Sequence, residues 1–284
     1  MNEFLDACEN GNINIVKQLL PQVDPAAQDN EAIRWAASNG HWDVVELLLQ
    51  DPRVDPSAQD NEAIRGASDY GHKDVIELLL QDPRVDPSYL DNWFIRWAAS
   101  NGFKNAVELL LKDTRVDPST MNNYAIRFSA ENGHKDVVEL LLKDSRVDPS
   151  ALDNYAIKWA SLNGYFNVVK VLLTDIRVDP SIQNNWTIQQ AAYYGHKEVV
   201  ELLLGDPRVD PSIQNNWAIR WAARNGHKNV VQILLLDPRV NLSVWLNWAI
   251  SYASENGHKD VVELLEEHSY KIDNECYNEM AKLK

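Results

Sequence analysis

Cysteine, long apolar runs and positive charge are what this sequence has least of, and each shortage removes a class of answer. Only two cysteines occur in 284 residues, Cys8 and Cys276. That is too few for the disulfide framework of a small secreted domain, so reduced thiols and an intracellular, cytoplasmic location are expected. No apolar run approaches the roughly 18 residues of a membrane helix. Met1–Gln28 also lacks a basic start followed by an apolar core, so neither a membrane span nor a secretory leader is expected. Against 42 Asp and Glu stand 27 Lys and Arg, a formal net charge of −15 with pI ≈ 4.8. Nucleic acid and anionic membranes need a basic footprint, so the balance argues against both and for a neutral or basic protein or peptide partner. The chain also has no P-loop, no G-x-G-x-x-G opening a helix after a strand, no H-E-x-x-H and no G-x-S-x-G. No catalytic residue, cofactor or metal ligand is assigned, and an enzyme is not expected.

What the chain has in abundance is one stretch written over and over. D-N-E-A-I-R-W-A-A-S-N-G-H-W-D-V-V-E-L-L-L-Q-D-P-R-V-D-P-S-A-Q at Asp29–Gln59 returns with small edits, its first residue becoming Asp60, Asp91, Asn122, Asp153, Asn184, Asn215 and Leu246, each 31 positions on. A fixed period of about 20 to 50 residues marks a solenoid of stacked units, which adds core repeat by repeat and escapes the usual size limit of a globular domain. One elongated domain, monomeric, is therefore expected. It comprises a capping unit at 1–28, full repeats at 29–59, 60–90, 91–121, 122–152, 153–183, 184–214 and 215–245, a last repeat at 246–272 and a capping helix at 273–284. The ends are divergent and polar, as end caps must be. Asp6 and Glu279 fall where Trp35 stands in the first full repeat. With Cys8 and Cys276 at opposite ends of about nine helix pairs spaced roughly 10 Å apart, a disulfide, limited to about 7 Å between Cα atoms, is out of reach.

Within a unit, Ala32, Ile33, Ala36 and Ala37, then Val44, Val45, Leu47, Leu48 and Leu49, form two apolar runs at helical spacing on either side of Asn39-Gly40. This reads as helix, tight turn, helix. Asp29 and Asn30 are expected to cap the first helix. Gly40 should supply a left-handed turn. The second helix should stop near Gln50 or Asp51, because Pro52 cannot continue it. A loop to Gln59 then leads into the next pair.

The phrase A-A-S-N-G-H-W-D-V-V-E-L-L-L resembles the A-A-x-x-G-H-x-x-V-V-x-L-L-L of ankyrin repeats, and the resemblance covers nearly the whole chain in one register. It implies an all-α ankyrin-repeat solenoid. Two departures stand out: E-A-I-R at Glu31–Arg34 replaces the family's T-P-L-H, and P-R-V-D-P-S at Pro52–Ser57 replaces its G-A-D-V-N loop. The unit is also two residues shorter than the family's period of about 33, which shortens the β-hairpin tip and argues against binding through hairpin fingers. The variant loop resembles ankyrin arrays of giant DNA viruses and some protists, which would place a viral protein in host cytoplasm.

Three repeated columns are candidates for more than packing. His41, His72, His134, His196, His227 and His258 look like a metal ladder, but neighbours one repeat apart, roughly 10 Å, cannot share an ion held at about 2 Å; a packing role is preferred. Arg53, Arg84, Arg115, Arg146, Arg177, Arg208 and Arg239 sit between aspartates and read as an Arg-Asp ladder that ties loops together. Arg34, Arg65, Arg96, Arg127, Lys158 and Arg220 should face a neighbouring repeat or its loop. Lys73 with Glu77, and Lys135 with Glu139, are ordinary i,i+4 pairs.

The partner site is sought where repeats differ. One column runs Glu31, Glu62, Trp93, Tyr124, Tyr155, Trp186, Trp217 and Trp248. Four residues on comes Trp35, Trp97, Phe128, Trp159, Trp221 and Tyr252. Three further on is the most variable one, with Ser38, Asp69, Ser100, Glu131, Leu162, Tyr193, Arg224 and Glu255. All three share one helix face. In ankyrin proteins the first helix lines the concave side, so the resemblance implies that this face is the groove. The expectation is a non-enzymatic module binding a protein or peptide along an aromatic groove from Trp93 to Trp248, with Tyr193 and Arg224 from the variable column and an acidic mouth at Glu31 and Glu62. The alternative is a structural spacer whose rings only stack between repeats.

Overall fold

The computed structural model describes the backbone of residues 2–282 and the side chains of residues 2–270. Among these residues it is helical throughout, with no strand. The chain divides into two compact units, residues 1–121 and 122–284. The first holds α1 (Asn2–Glu9), α2 (Ile13–Leu19), α3 (Ala27–Ser38), α4 (Trp42–Leu49), α5 (Ala58–Asp69), α6 (Lys73–Leu80), α7 (Tyr89–Ser100) and α8 (Lys104–Lys112). The second takes up α9 (Thr120–Glu131) and continues with α10 (Lys135–Leu141), α11 (Ala151–Leu162), α12 (Phe166–Leu172), α13 (Ile182–Tyr193) and α14 (Lys197–Leu204). It ends with α15 (Ile213–Arg224), α16 (Lys228–Leu236), α17 (Leu246–Glu255) and α18 (Lys259–Lys282).

Each repeat is the expected helix pair. Ala32, Ile33, Ala36 and Ala37 of α3 and Val44, Val45 and Leu48 of α4 are buried, as are their counterparts from α5 through α16; in the last repeat Ile250 and Val262 are half-buried and Ser254 is exposed. Small alanines on the first helix let the next repeat approach closely, and β-branched valines fill the space behind them. Between the helices Gly40 takes φ +77°, and the imidazole of His72 from the following repeat lies where a Cβ would stand. The residue is therefore glycine for two reasons, conformation and contact. The second helix ends at Leu49, before Pro52, as proline chemistry requires.

The start of the first helix departs from expectation. Asp29 and Asn30 do not cap it. Gln28, Asp29 and Asn30 all lie in the left-handed region (φ 54 to 62°), and so do Gln59–Asn61, Leu90–Asn92, Leu152–Asn154, Gln183–Asn185 and Gln214–Asn216. Each such residue costs about 1–2 kcal/mol relative to the right-handed form, so other bonds must hold the turn. The buried Asn30 Oδ1 accepts the N–H of Asp55, 25 residues on, at 2.7 Å, and Asn92, Asn154 and Asn185 do the same at 2.8 Å. From inside the helix, Arg34 donates Nε to the Asp29 carbonyl (3.0 Å) and Nη2 to that of Gln28 (3.1 Å). Arg96 and Gln189 bond their own turns in the same way. The second basic column thus closes a left-handed turn, which its sequence position did not reveal.

Where the family builds a hairpin, this chain builds two aspartate turns. Asp51 accepts the Arg53 N–H (3.0 Å) and its guanidinium (2.9 and 2.6 Å), while Arg53 Nη1 donates to the Val23 carbonyl in the preceding loop (2.9 Å). Arg84, Arg177, Arg208 and Arg239 reach back to Val54, Val147, Val178 and Val209 in the same manner. The Arg-Asp ladder read from the sequence is present and in these repeats ties loop to loop, whereas Arg115 bonds only its own Asp113 among the described residues. At its other end Asp55 accepts the N–H and hydroxyl of Ser57 (2.9 and 2.7 Å).

A separate terminal helix after residue 272 was also expected, but α18 runs unbroken from Lys259 to Lys282. The physical reason is in the residues: E-E-H-S-Y-K-I at Glu266–Ile272 lacks the Asp-x-Arg-Val turn that follows the second helix in each full repeat. Cys8 is buried, which pushes its thiol up to about 12; Cys276 and Glu279 lie outside the described side chains.

Candidate protein-binding face

On the exposed side of the first helices the aromatic columns come together as a ladder. In the second unit, Tyr124 stacks on Phe128 (4.0 Å between ring centres), Phe128 meets Tyr155 (5.9 Å), Tyr155 meets Trp159 (5.6 Å) and Trp159 meets Trp186 (6.3 Å). The step is regular: a ring one helical turn into a repeat touches its own neighbour four residues earlier and the first ring of the next repeat. Gln190 breaks the column, and Tyr193 resumes it by touching Trp217 (6.0 Å) and Trp221 (5.8 Å). Trp217 with Trp221 (5.4 Å), Trp221 with Trp248 (6.3 Å) and Trp248 with Tyr252 (4.2 Å) complete it. In the first unit only Trp93 and Trp97 stack, at 5.8 Å and 20°; Trp35 touches no other ring among the described residues.

Every ring in these columns is half-buried. Neighbouring groups cover part of each, and the rest stays open to solvent. No tryptophan N–H donates a hydrogen bond among the described residues, and none is sealed from solvent. The indole donors are therefore available at the surface.

The chain's own cations lie against the rings of the second unit. Arg127 sits over Tyr124, Phe128 and Tyr155 (5.8, 5.4 and 5.0 Å), Lys158 over Trp186 (6.0 Å), Arg220 over Trp245 and Trp248 (4.5 and 4.9 Å), and Arg224 over Trp221 and Tyr252 (4.6 and 5.3 Å). Ring faces carry negative potential, so each contact is attractive by about 0.5–2 kcal/mol. Burial lowers the basicity of Arg127 and Arg220, and the Nε of Arg220 is buried with no partner. The Tyr155 hydroxyl donates to Glu131 Oε2 at 2.7 Å, and burial, then that carboxylate, push its pKa up to about 12.

Of the residues expected to bind a partner, Tyr124, Phe128, Tyr155, Trp159 and Trp186 come together in one run, and Tyr193, Trp217, Trp221, Arg224 and Trp248 in another. Trp93 and Trp97 form their own pair in the first unit. Sequence reasoning missed the ring-bound roles of Arg127, Lys158, Arg220 and Trp245. The signal was a basic residue directly before every ring of the second column except Tyr252, and a tryptophan at 245 where other repeats place Gln, Leu or Met.

The histidines are inter-repeat ties. Nε2 of His41, His72, His196 and His227 lies 2.7–3.0 Å from the carbonyls of Glu9, Ser38, Leu162 and Tyr193 in the preceding repeat. Tyr165 packs on Gly133 in the same place. Lys135 pairs with Glu139 at 2.9 Å as expected, whereas the ammonium of Lys73 lies 4.6 Å over the Phe103 ring instead of pairing with Glu77.

Stacked helix pairs at a spacing of 31 residues define a helical repeat protein. The model of the family "Ankyrin repeats (3 copies)" matches residues 4–91, 95–184 and 188–276. The chain belongs to the ankyrin-repeat family, whose members are generally protein–protein interaction modules and typically not enzymes. Against curated proteins the chain finds no match. Among the described residues no helix is long and apolar enough to cross a membrane.

Proposed function

We propose that this protein is a non-enzymatic binding module of the cytoplasm that holds a neutral or basic protein or peptide along the first-helix face, with all 284 residues forming one ankyrin domain. The observation that carries the reading is the ladder itself: half-buried rings and unused indole donors. Such groups give a partner apolar area and a hydrogen-bond donor from the same rigid side chain, which is why tryptophan and tyrosine dominate binding hot spots. Trp186, Trp217 and Trp221 are the anchors, and Tyr193 and Arg224 set specificity beside them.

A second reading, a spacer whose rings only join repeats, is favoured by the ring-to-ring contacts from Tyr124 onward. Substituting Trp186, Trp217 and Trp221 together by alanine separates the two. The binding reading expects a folded variant that loses a partner captured by the intact chain. A folded variant that binds at full strength ends that reading, and a variant that no longer folds favours the spacer.

A further inference from the structure

Arg34 and Arg220 hold the same place in their repeats, and their surroundings differ in charge. The Arg34 guanidinium closes its own turn and gives its remaining Nη1 to the carboxylate of Glu62 on the next first helix. Around Arg220 each acid of that arrangement is replaced: Asn215 stands for Asp29, Asn241 for Asp55 and Trp248 for Glu62. The arginine is kept. Its guanidinium lies 4.5 Å from the centre of the Trp245 ring and 4.9 Å from that of Trp248. Nη2 donates to the Gln214 carbonyl at 3.3 Å, and Nε is buried with no partner. Nη1 is not sealed from solvent and bonds nothing among the described residues.

A second guanidinium stands one helical turn on. Arg224 lies 4.6 Å from the centre of the Trp221 ring and 5.3 Å from that of Tyr252, and it makes no hydrogen bond or ion pair among the described residues. Tyr252 and Trp248 stack on each other, with centres 4.2 Å apart. Thus α15 holds two cations on adjoining rings of α17. Like charges four apart on a helix repel, and no acid among the described residues pairs with either arginine. Between residues 213 and 258 the acids are Asp237, paired with Arg239, and Glu255, which accepts the Ser251 hydroxyl at 3.0 Å. Against those two stand four basic residues, Arg220, Arg224, Lys228 and Arg239, so this stretch is positive in a chain of net charge −15.

The first unit shows what completes such a guanidinium, since Arg34 takes a carboxylate there. We infer that Arg220 and Arg224 together seat a carboxylate of the bound partner, a step that rests on the first-helix face being the binding face. Stacking on rings fixes a planar guanidinium and leaves the N–H groups, which lie in its own plane, able to donate. A carboxylate accepts two parallel N–H bonds from such a fork, and in a half-buried place those bonds are stronger than in open water. One carboxylate is enough, so a neutral or basic partner can supply it from an acidic side chain or from the end of its chain.

The test uses the full chain and three N-acetylated peptides of sequence Gly-Ser-Leu-Gly-Ser-Leu. One has a free C-terminal carboxylate, one is amidated, and one is amidated with Asp in place of the second Ser. Each is titrated at low salt and followed through the indole N–H resonances of Trp245 and Trp248. At least one of the two acids should shift both resonances and bind about fivefold or more tightly than the neutral amide. Whichever acid binds tighter tells a chain end from a side chain. Arg220→Gln and Arg224→Gln should each remove most of that preference, and Arg220→Lys should keep only part of it. Lys228→Gln, an equal charge change on α16, should leave it within about twofold. If Arg220→Gln does not fold, Arg224→Gln decides alone. Acids and amide binding alike, no shift with either acid, equal loss in Lys228→Gln, or inorganic phosphate binding more tightly than acetate at equal ionic strength overturns the assignment. The ladder is judged separately, by partner capture in the alanine variant of Trp186, Trp217 and Trp221, so the two readings can fail independently.

Discussion

Residues 1–121 and 122–284 repeat one phrase, but they join neighbouring first helices by different chemistry. In the first unit α3 and α5 meet through an ion pair, Arg34 to Glu62 at 2.5 Å, and through Gly66 pressed on Ser38. In the second, α11, α13, α15 and α17 carry rings that stack across the gap. Charge follows the same division, with 21 acidic residues against 10 basic in the first unit and 21 against 17 in the second. The lesson is that the repeat's backbone needs only that the space between first helices be filled. Small residues with an ion pair, and rings with bound cations, both meet that need. The first solution leaves an acidic surface sensitive to salt, and the second a near-neutral apolar one that is not.

The largest expected effect breaks the ladder. Trp221 touches Tyr193, Trp217 and Trp248 and lies under Arg224, so Trp221→Ala should destabilise by about 3 kcal/mol, less than a fully buried tryptophan loses. Trp35→Ala, with no ring neighbour, should cost about 1 kcal/mol. Urea unfolding followed by circular dichroism checks both, and equal losses would erase the distinction between the units.

Next comes the close approach at Gly66. A Cβ there runs into the Ser38 hydroxyl, so Gly66→Ala should destabilise by about 1–2 kcal/mol despite alanine's better helix propensity. Adding Ser38→Ala should recover part of the loss. If Gly66→Ala alone is more stable than the parent, the first helices do not approach as closely as described.

A smaller effect separates the units by salt. A double-mutant cycle on Arg34 and Glu62 should give a coupling of about 0.5–1 kcal/mol that shrinks at high salt. The same cycle on Trp217 and Trp221 should not respond to salt, and a salt-dependent ring pair would contradict the contrast.

The smallest effect is one the two units share. Hydrogen bonds from the ladder arginines hold Asp51, Asp82, Asp113, Asp144, Asp175, Asp206 and Asp237 below the usual carboxylate range. A depressed folded pKa contributes stability that is complete above the unfolded value, 3.8, and is lost as pH falls through the folded one. Melting temperature should therefore drop below about pH 4. Asp237→Asn should cost well under about 1 kcal/mol at neutral pH, because solvent screens the pair. The cost should vanish in strong acid; a cost that persists there would assign it to packing.

Much of this was legible in the residues. Periodicity located the helix pairs, Gly40 and Pro52 marked their turns and ends, and the Arg-Asp spacing announced the loop ladder. The aromatic columns were visible too, since residues four apart share a helix face. Asn30 was misread because asparagine serves caps and left-handed turns equally well, and only the bond from Asp55, 25 residues away, decides between them. The Arg34 column was opaque for a similar reason: a charged side chain of that length reaches a carbonyl, a carboxylate or a ring, and sequence position does not choose.

The sequence by itself determined the class of this protein, because 31-residue periodicity, buried alanines and glycine turns are local and repeat identically wherever they are written. Tertiary structure alone decided which surface groups are used up and which are left over. Arg127 lies on three rings and Glu131 holds a hydroxyl, while among the described residues Arg65 lies on no ring and Asp69 bonds no side chain. Such pairings depend on distances between residues of different repeats, where a few ångströms separate a contact from an open slot, and no pattern along one repeat contains them.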